Sequence, residues 1–256
     1  MIKRFTILGC GSSLGTPWIT GNWGKCDKKN LKNIRSRCSA HIQYKNISIC
    51  IDTSPDIKEQ FKKNKITSVD SVVYTHEHAD QTSGIFELRP FFWKNRKKVP
   101  IYGSKRTVKE LLDKYTYCFK SRQGYKPILK HNIIKKKFSI KKGVNNIDFT
   151  TFEVDHGMIK TTAYLFNKVA YLSDCNKVPS KYYKYLKNLN YLIIDCLRYS
   201  KHPSHFNYDE AIKIAKKFKP KKTILTNLHA DLDYSSLIKK LPKNIMPAYD
   251  GLKFNF

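Results

Sequence analysis

The chain has 256 residues, of which 41% are hydrophobic, and this is enough to form one large domain with a substantial core. Its 49 Lys and Arg residues against 20 Asp and Glu give a formal charge of +29, which favours anionic partners. No stretch approaches the roughly 18 consecutive apolar residues of a membrane span, so we expect no membrane association.

The cysteines and the N-terminus bear on the cellular compartment. The seven cysteines form no CxxC pair, and several follow apolar runs, where a thiol acts as a small core residue. The N-terminal residues predict a first strand and not a signal peptide. We therefore expect a reducing, cytoplasmic compartment. Because the lysines are spread along the whole chain, the charge fits either an anionic partner or a lysine-rich proteome.

In chain order, the apolar patterns predict a group of strands first, and then strands that alternate with helices. The predicted strands cover 2–8, 39–44, 47–51, 71–74, 99–102, 147–154, 162–166, 169–172, 192–194 and 222–225, with a last strand at the C-terminus. Helices are predicted over 57–63, 105–115 and 208–218, and another begins near residue 85. We find no linker, so we predict a single domain over residues 1–256, built from two similar halves.

Side chains that can bind metals follow five of the predicted strands. They are His76, His78, Asp80, His156, Asp174, Asp195 and His229. Strand ends are where α/β sheets hold their ligands, and mixed imidazole and carboxylate sets are typical of two-metal hydrolytic sites. The sequence therefore predicts a metal-dependent hydrolytic site.

Two further features are predicted to support this site. Asp52 ends the strand at 47–51, and we interpret it as a partner that orients a metal ligand. The glycine- and serine-rich turn at 9–17 can present backbone N–H groups to an anion.

The motifs THEHAD, VDHG, LSDC and TNLHADLDY stand in an order that resembles the metallo-β-lactamase superfamily. The resemblance covers nearly the whole chain. The stretches ILGCGSSLGTP, HPSHFNYDEA and YDGLKFNF are similar to parts of its phosphodiesterase branch, in particular the phosphoribosyl cyclic phosphodiesterases of phosphonate breakdown and, more distantly, ribonuclease Z. The resemblance implies an α/β fold, a four-layer αββα sandwich of the metallo-β-lactamase type.

The same resemblance implies two divalent metal ions, with Zn²⁺ expected and Mn²⁺ as the alternative. His76, His78 and His156 would hold the first ion, and Asp174 would bridge to the second. These four residues match the family motif position by position.

The second ion would be held by Asp80 and a late histidine, which we assign to His229. An ungapped alignment instead places Asn227 at that position, and the sequence does not decide between the two residues.

Gln81 stands where the family pattern HxHxDH has its last histidine. Because an amide binds zinc more weakly than an imidazole does, we expect a looser second ion, or Mn²⁺ in its place.

The activity implied is that of a phosphodiesterase that cleaves a small cyclic or nucleotide-like phosphate through a metal-bridging hydroxide. Asp80 would also orient the nucleophile. His205 would act on the leaving-group side as general acid or as a phosphate contact, with His202 as the alternative acid. The positive charge keeps two other functions open, a ribonuclease Z-like RNA 3′-processing nuclease and a nucleic-acid-binding member of the fold without catalysis. The expected partners are a small phosphodiester or RNA, and a homodimer also stays open.

Overall fold

Fourteen strands form two seven-stranded sheets in the computed structural model, which describes residues 2–121 and 124–256. The strands are β1 (Lys3–Gly9), β2 (Ser39–Tyr44), β3 (Ile47–Ile51), β4 (Ser71–Val73), β5 (Val99–Gly103), β6 (Leu129–Ile133), β7 (Lys137–Lys142), β8 (Asn145–His156), β9 (Ile159–Phe166), β10 (Val169–Leu172), β11 (Tyr191–Asp195), β12 (Lys222–Thr226), β13 (Ile245–Pro247) and β14 (Lys253–Asn255).

Each sheet combines antiparallel and parallel strands. The first has the order β14-β1-β2-β3-β4-β5-β6, and its strands are parallel from β3 to β6. The second has the order β13-β12-β11-β10-β9-β8-β7, and its strands are parallel from β10 to β13. Parallel neighbours end at the same edge of a sheet, so the segments that follow β3 and β4, and those that follow β10, β11 and β12, are brought close together.

The helices are short. They are α1 (Ile57–Asn64), α2 (Ala79–Thr82), α3 (Arg89–Asn95), α4 (Lys105–Lys114), α5 (Thr116–Phe119), α6 (Tyr208–Phe218) and α7 (Tyr234–Lys240), with 3₁₀ helices at Leu31–Asn33, Ser83–Leu88 and Ser180–Leu186. Within the described residues, none of them is both long and apolar enough to cross a bilayer.

Three apolar clusters show how the layers pack. Phe5 and Ile193 belong to the cluster between the two sheets. Phe61 of α1 and Leu111 of α4 pack on the outer face of the first sheet, and Ala215 of α6 belongs to the cluster outside the second sheet. Helices therefore cover the outer face of each sheet, and the predicted four-layer αββα sandwich is confirmed.

Two hydrogen bonds join the sheets beside the end of β4. The Thr162 N–H donates to the Thr75 carbonyl at 2.9 Å, and the hydroxyl of Tyr164 donates to the Tyr74 carbonyl at 2.7 Å. Both donors lie on β9 of the second sheet, and both acceptors follow β4 of the first. The backbone on which the HxHxD motif begins is therefore fixed to both sheets.

The helix predicted from residue 85 differs from the structure. The chain forms the short helix α2, then the 3₁₀ helix Ser83–Leu88, and only then α3. A Cβ at Gly84 would collide with the carbonyl of Ser54, so this segment lies unusually close to its neighbour. Pro90, in the first turn of α3, has no N–H to extend a preceding α-helix, so a separate helix begins there.

Candidate metal centre

Four of the predicted metal ligands lie together where the strands of the two sheets end. The ligand atoms of His76, His78, His156 and Asp174 all lie within 4.8 Å of one another. His76 and His78 follow β4 of the first sheet, whereas His156 ends β8 and Asp174 follows β10 in the second. The cluster therefore needs both halves of the chain.

A hydrogen-bonded chain of three residues orients His76. Asp52 is buried and accepts the Thr75 N–H and the Thr75 hydroxyl, both at 2.8 Å. Because that hydroxyl donates to Asp52, its oxygen is left to accept Nδ1–H of His76 at 3.0 Å. This arrangement leaves the lone pair of His76 Nε2 facing the cluster, as a metal ligand requires. The predicted orienting role of Asp52 is thus matched by its contacts.

The His76 Nε2 atom also shows that the cluster fits a cation. It is buried and has no hydrogen-bond partner among the described residues. The nearest carboxylate oxygen, Asp174 Oδ2, lies 3.6 Å away. A buried ring nitrogen seldom stays unpaired, so an ion between these groups would satisfy it.

His156 is oriented by a hydrogen bond of its own, whereas His78 is more exposed. Nδ1 of His156 donates to the Ser204 carbonyl at 2.7 Å, so its Nε2 carries a lone pair, and that atom lies 3.4 Å from Nδ1 of His78. Burial, followed by the neighbouring imidazoles, holds the pKa of His76 well below its ordinary value. Burial and His156 lower the pKa of His78 in the same way. Neutral imidazole is the form that binds metal.

Asp80 and Gln81 lie beside this cluster at the start of α2. Asp80 lines the same cavity as the cluster but is not one of its four members. Burial, and next the carboxylate of Asp174, raise the pKa of Asp80, and a cation between the two carboxylates would relieve that repulsion. Gln81 donates from Nε2 to Asp80 Oδ2 at 3.2 Å, while its Oε1 is buried without a partner among the described residues.

The two candidates for the last ligand lie in different surroundings. Nδ2 of Asn227 lies 3.2 Å from Oδ1 of Asp174, so Asn227 contacts the cluster directly. His229 also lines the cavity, but its Nδ1 lies 3.2 Å from Oδ2 of Asp231 and its ring packs against Trp18. The metal role of His229 therefore stays a prediction, and the geometry places Asn227 nearer to the carboxylate.

His205 borders the cluster as a cationic group. Its Nδ1 lies 2.7 Å from Oδ2 of Asp195, and that oxygen also accepts the Cys175 N–H at 2.8 Å. Burial opposes the charged ring, but the Asp195 carboxylate outweighs burial and raises the pKa of His205 to about 9. Its ring meets that of His156 edge-on, with centroids 4.6 Å apart. A raised pKa and a position close to the cluster are what a general acid needs.

A cavity of about 310 Å³ is lined by seven of these residues: His78, Asp80, His156, Asp174, His205, Asn227 and His229. Its wall also includes Ser12 and Ser13 from the turn after β1, together with Arg198 and His202 from the segment between β11 and α6. Sequence analysis indicated the turn and His202 but not Arg198. The available signal was its position just after a buried strand, the same signal that identified the metal ligands.

Comparisons with known proteins agree with the fold and the motifs. A family profile described as "Beta-lactamase superfamily domain" matches residues 48–227. The crystal structure of a diphosphatase from the PhnP family is 31% identical, with 100% of this chain and 98% of that chain covered and a TM-score of 0.91. Human tRNase Z, short form, is 13% identical over 98% of both chains with a TM-score of 0.71, a likeness of fold alone.

Another relative is about twice as long as this chain. An octanoyltransferase from Porphyromonas gingivalis (strain ATCC BAA-308 / W83) is 29% identical over 255 residues, which make up 98% of this chain but 51% of that protein. The chain thus spans about half the length of this relative, so the relative's name describes a longer protein.

Proposed function

We propose, from the premise that this chain belongs to the metallo-β-lactamase superfamily, that it is a metal-dependent phosphodiesterase acting on a small cyclic or nucleotide-like phosphate. The observation that carries the proposal is a cluster of three histidines and an aspartate beside the His205–Asp195 pair. One cavity of about 310 Å³ is lined by His78, His156, Asp174 and His205. The kinship with a PhnP-family diphosphatase supports a substrate with phosphoryl groups.

The donor set fits divalent metal ions. His76, His78, His156 and Asp174 would hold the first ion, and Asp174 with Asp80 would hold the second. Bound there, divalent ions lower the pKa of water and offset phosphoryl charge. Zn²⁺ suits the imidazole-rich first site, whereas the oxygen-rich second site, where Nε2 of Gln81 donates to Asp80, also suits Mn²⁺.

The side chains of the protein carry out proton transfer and orient the attacking water. The imidazolium of His205 is positioned to donate a proton to the oxygen that leaves phosphorus. Asp195 keeps that ring charged and fixes its orientation through Nδ1. Asp80, whose pKa the neighbouring carboxylate of Asp174 raises, orients the water that attacks.

Turnover of bis-p-nitrophenyl phosphate tests this proposal. We expect Zn²⁺- or Mn²⁺-loaded protein to release p-nitrophenol, and His76→Ala and Asp174→Ala to lose at least about 100-fold in kcat/KM. His131→Ala is the matched control, because His131 is an exposed histidine on β6 outside the cavity. Full activity in the two cluster variants, or less than one tightly bound metal ion per chain, would refute the proposal.

The charge of +29 keeps RNA as the second candidate substrate. Cleavage of a precursor tRNA at its 3′ end, faster than that of bis-p-nitrophenyl phosphate, would favour a ribonuclease Z-like activity instead. Salt-sensitive RNA binding without cleavage of either substrate would favour a member of the fold that only binds nucleic acid.

A further inference from the structure

A second cavity lies beside the metal cavity, beyond the contact between His229 and Asp231. This outer cavity of about 360 Å³ is lined by Lys25, Tyr199, Asp231, Asp233, Ser236 and Lys240. His229 lines the metal cavity, and its Nδ1 lies 3.2 Å from Oδ2 of Asp231, which lines the outer one. The two side chains are 23% and 38% exposed, so a ligand can pass over them from one cavity into the other.

Backbone contacts fix the wall of the outer cavity that carries Lys25. The Lys25 N–H donates to the Ala230 carbonyl at 2.9 Å, and a Cβ at Gly24 would lie only 2.7 Å from that same oxygen. The buried Arg35 donates from Nη1 to the His229 carbonyl at 3.1 Å. The segment around Lys25 is therefore held closely against the segment that follows β12, and the outer cavity is a preformed space.

Tyr199 presents an aromatic ring to the outer cavity. The residue is 36% exposed, and Nζ of the exposed Lys240, which lines the same cavity, lies 5.2 Å from the ring centroid. The ring also packs against that of Tyr208 in α6, with centroids 5.5 Å apart, and this contact holds it in place. An accessible ring that is supported in this way is a surface on which a planar group of a ligand can stack.

The charged side chains of the outer cavity balance one another. They are two lysines and two aspartates: Lys25, Lys240, Asp231 and Asp233. Asp233 is engaged within the protein, because its Oδ1 accepts the Ser236 N–H at 2.8 Å and its Oδ2 accepts the Asn33 amide at 2.7 Å. The lysines donate hydrogen bonds, Asp231 accepts them, and the hydroxyl of Ser236 can do both. This set does not favour a further anion, and it suits an uncharged group that has donors and acceptors on its edge.

Resting on the proposed function, we infer that the outer cavity binds a nucleobase of the substrate, stacked on Tyr199 with its polar edge toward Lys25 and Asp231. A nucleobase combines a planar face with an edge of hydrogen-bond donors and acceptors. Of the described residues, neither His202 nor His205 lines the outer cavity. The nucleoside is therefore the ester group that stays on phosphorus, while His205 serves the oxygen that leaves.

The test compares two substrates that share their leaving group. Thymidine 5′-(p-nitrophenyl phosphate) carries a base, and 1,2-dideoxyribose 5-(p-nitrophenyl phosphate) has the same sugar without it. In both, the oxygen of water bonds to phosphorus as the bond from phosphorus to the p-nitrophenol oxygen breaks. We expect the metal-loaded enzyme to have a kcat/KM at least about tenfold higher for the thymidine ester, and Tyr199→Ala to abolish most of this preference, chiefly through KM.

Two further variants show whether the aromatic ring is what matters. Tyr199→Phe keeps the ring and loses only the hydroxyl, so the preference for the thymidine ester should remain. Tyr125→Ala removes a tyrosine that is 50% exposed and lines neither cavity, so it should leave the preference unchanged.

The outcomes separate this inference from the proposed function. Equal kcat/KM values for the two esters in the unaltered enzyme would overturn the inference alone, and so would turnover of bis-p-nitrophenyl phosphate without turnover of the thymidine ester. Equal losses on both esters in Tyr199→Ala that is folded by circular dichroism would show that Tyr199 merely supports α6, and would also overturn it. If none of the three substrates is cleaved with Zn²⁺ or Mn²⁺, the proposed function itself fails.

Discussion

Thr75 lies between a buried carboxylate and the most buried ligand of the cluster. Its hydroxyl donates to Asp52 and accepts from Nδ1–H of His76, so it determines which nitrogen of His76 faces the ion. We predict that Thr75→Val, which is similar in shape but lacks the hydroxyl, weakens zinc binding by about 10- to 100-fold. Competition with a chromophoric chelator measures this affinity, and Thr116→Val serves as the control because its hydroxyl bonds only carbonyls of α4. Unchanged zinc affinity in Thr75→Val would contradict the role given to this hydroxyl.

At the same scale, Asp195 determines the charge of His205. With a pKa of about 9, the ring is protonated below that pH, so acid catalysis should be present at neutral pH and be lost as the pH rises through about 9. Replacement of the carboxylate in Asp195→Asn leaves burial dominant, and we predict that the alkaline limb of kcat/KM moves to lower pH. The pH profile on a phosphodiester with a poor leaving group reveals this shift, and a limb that stays in place would exclude His205 as the acid.

At the scale of elements, α6 anchors the segment that carries Arg198, His202 and His205. Asn207 accepts the Glu210 N–H at 2.9 Å, and Glu210 accepts the Asn207 N–H at 3.0 Å, a complete capping box. We predict that Asn207→Ala lowers the free energy of unfolding by about 1 kcal/mol, because the Glu210 N–H loses its side-chain acceptor. Asp209→Ala, which keeps the cap but removes a charge from the first turn, should cost less. Equal losses in denaturant titrations would contradict the capping role.

The elements also show how far the sequence determines the structure. Three parts of the chain have the limits that were predicted: the β2–β3 hairpin, the strand β10 and the helix α6. In these parts the turn residues, the hydrophobic alternation and the cap residues indicate the same structure. The pattern does not give the limits of β6 and β7, since both strands lie in a basic, weakly patterned stretch and are largely exposed. β6 pairs with β5, which lies well before it in the chain, and no local pattern reveals that pairing, whereas β7 forms a hairpin with the next strand, β8.

The same reasoning applies to the site. The cluster could be predicted because its ligands follow apolar strands in a spacing that few other functions need. Asn227 and Arg198 were harder to identify, since an amide and an arginine after a strand are common on protein surfaces. Their proximity to Asp174 and to Ser12 results from backbone bonds between segments that are distant in sequence.

At the scale of the whole molecule, the charge of +29 should accelerate the encounter with anionic substrates. We predict that kcat/KM for bis-p-nitrophenyl phosphate falls several-fold as the ionic strength rises from about 0.01 M to about 0.1 M, because the Debye length shortens to about 10 Å, whereas kcat changes little. Steady-state kinetics over a salt series test this prediction. If kcat/KM does not change with salt, the lysines reflect the general composition of the chain and do not accelerate substrate binding.

The two hydrogen bonds from β9 to the end of β4 bear on whether the protein folds before it binds metal. Since Thr162 and Tyr164 already fasten the backbone of the HxHxD segment to the second sheet, the ion is not needed to draw the halves together. We expect protein stripped with a chelator to keep its far-ultraviolet circular dichroism and to melt in one cooperative step. Folding can then be completed before any metal arrives, and which ion fills the site depends on the supply that the finished protein meets.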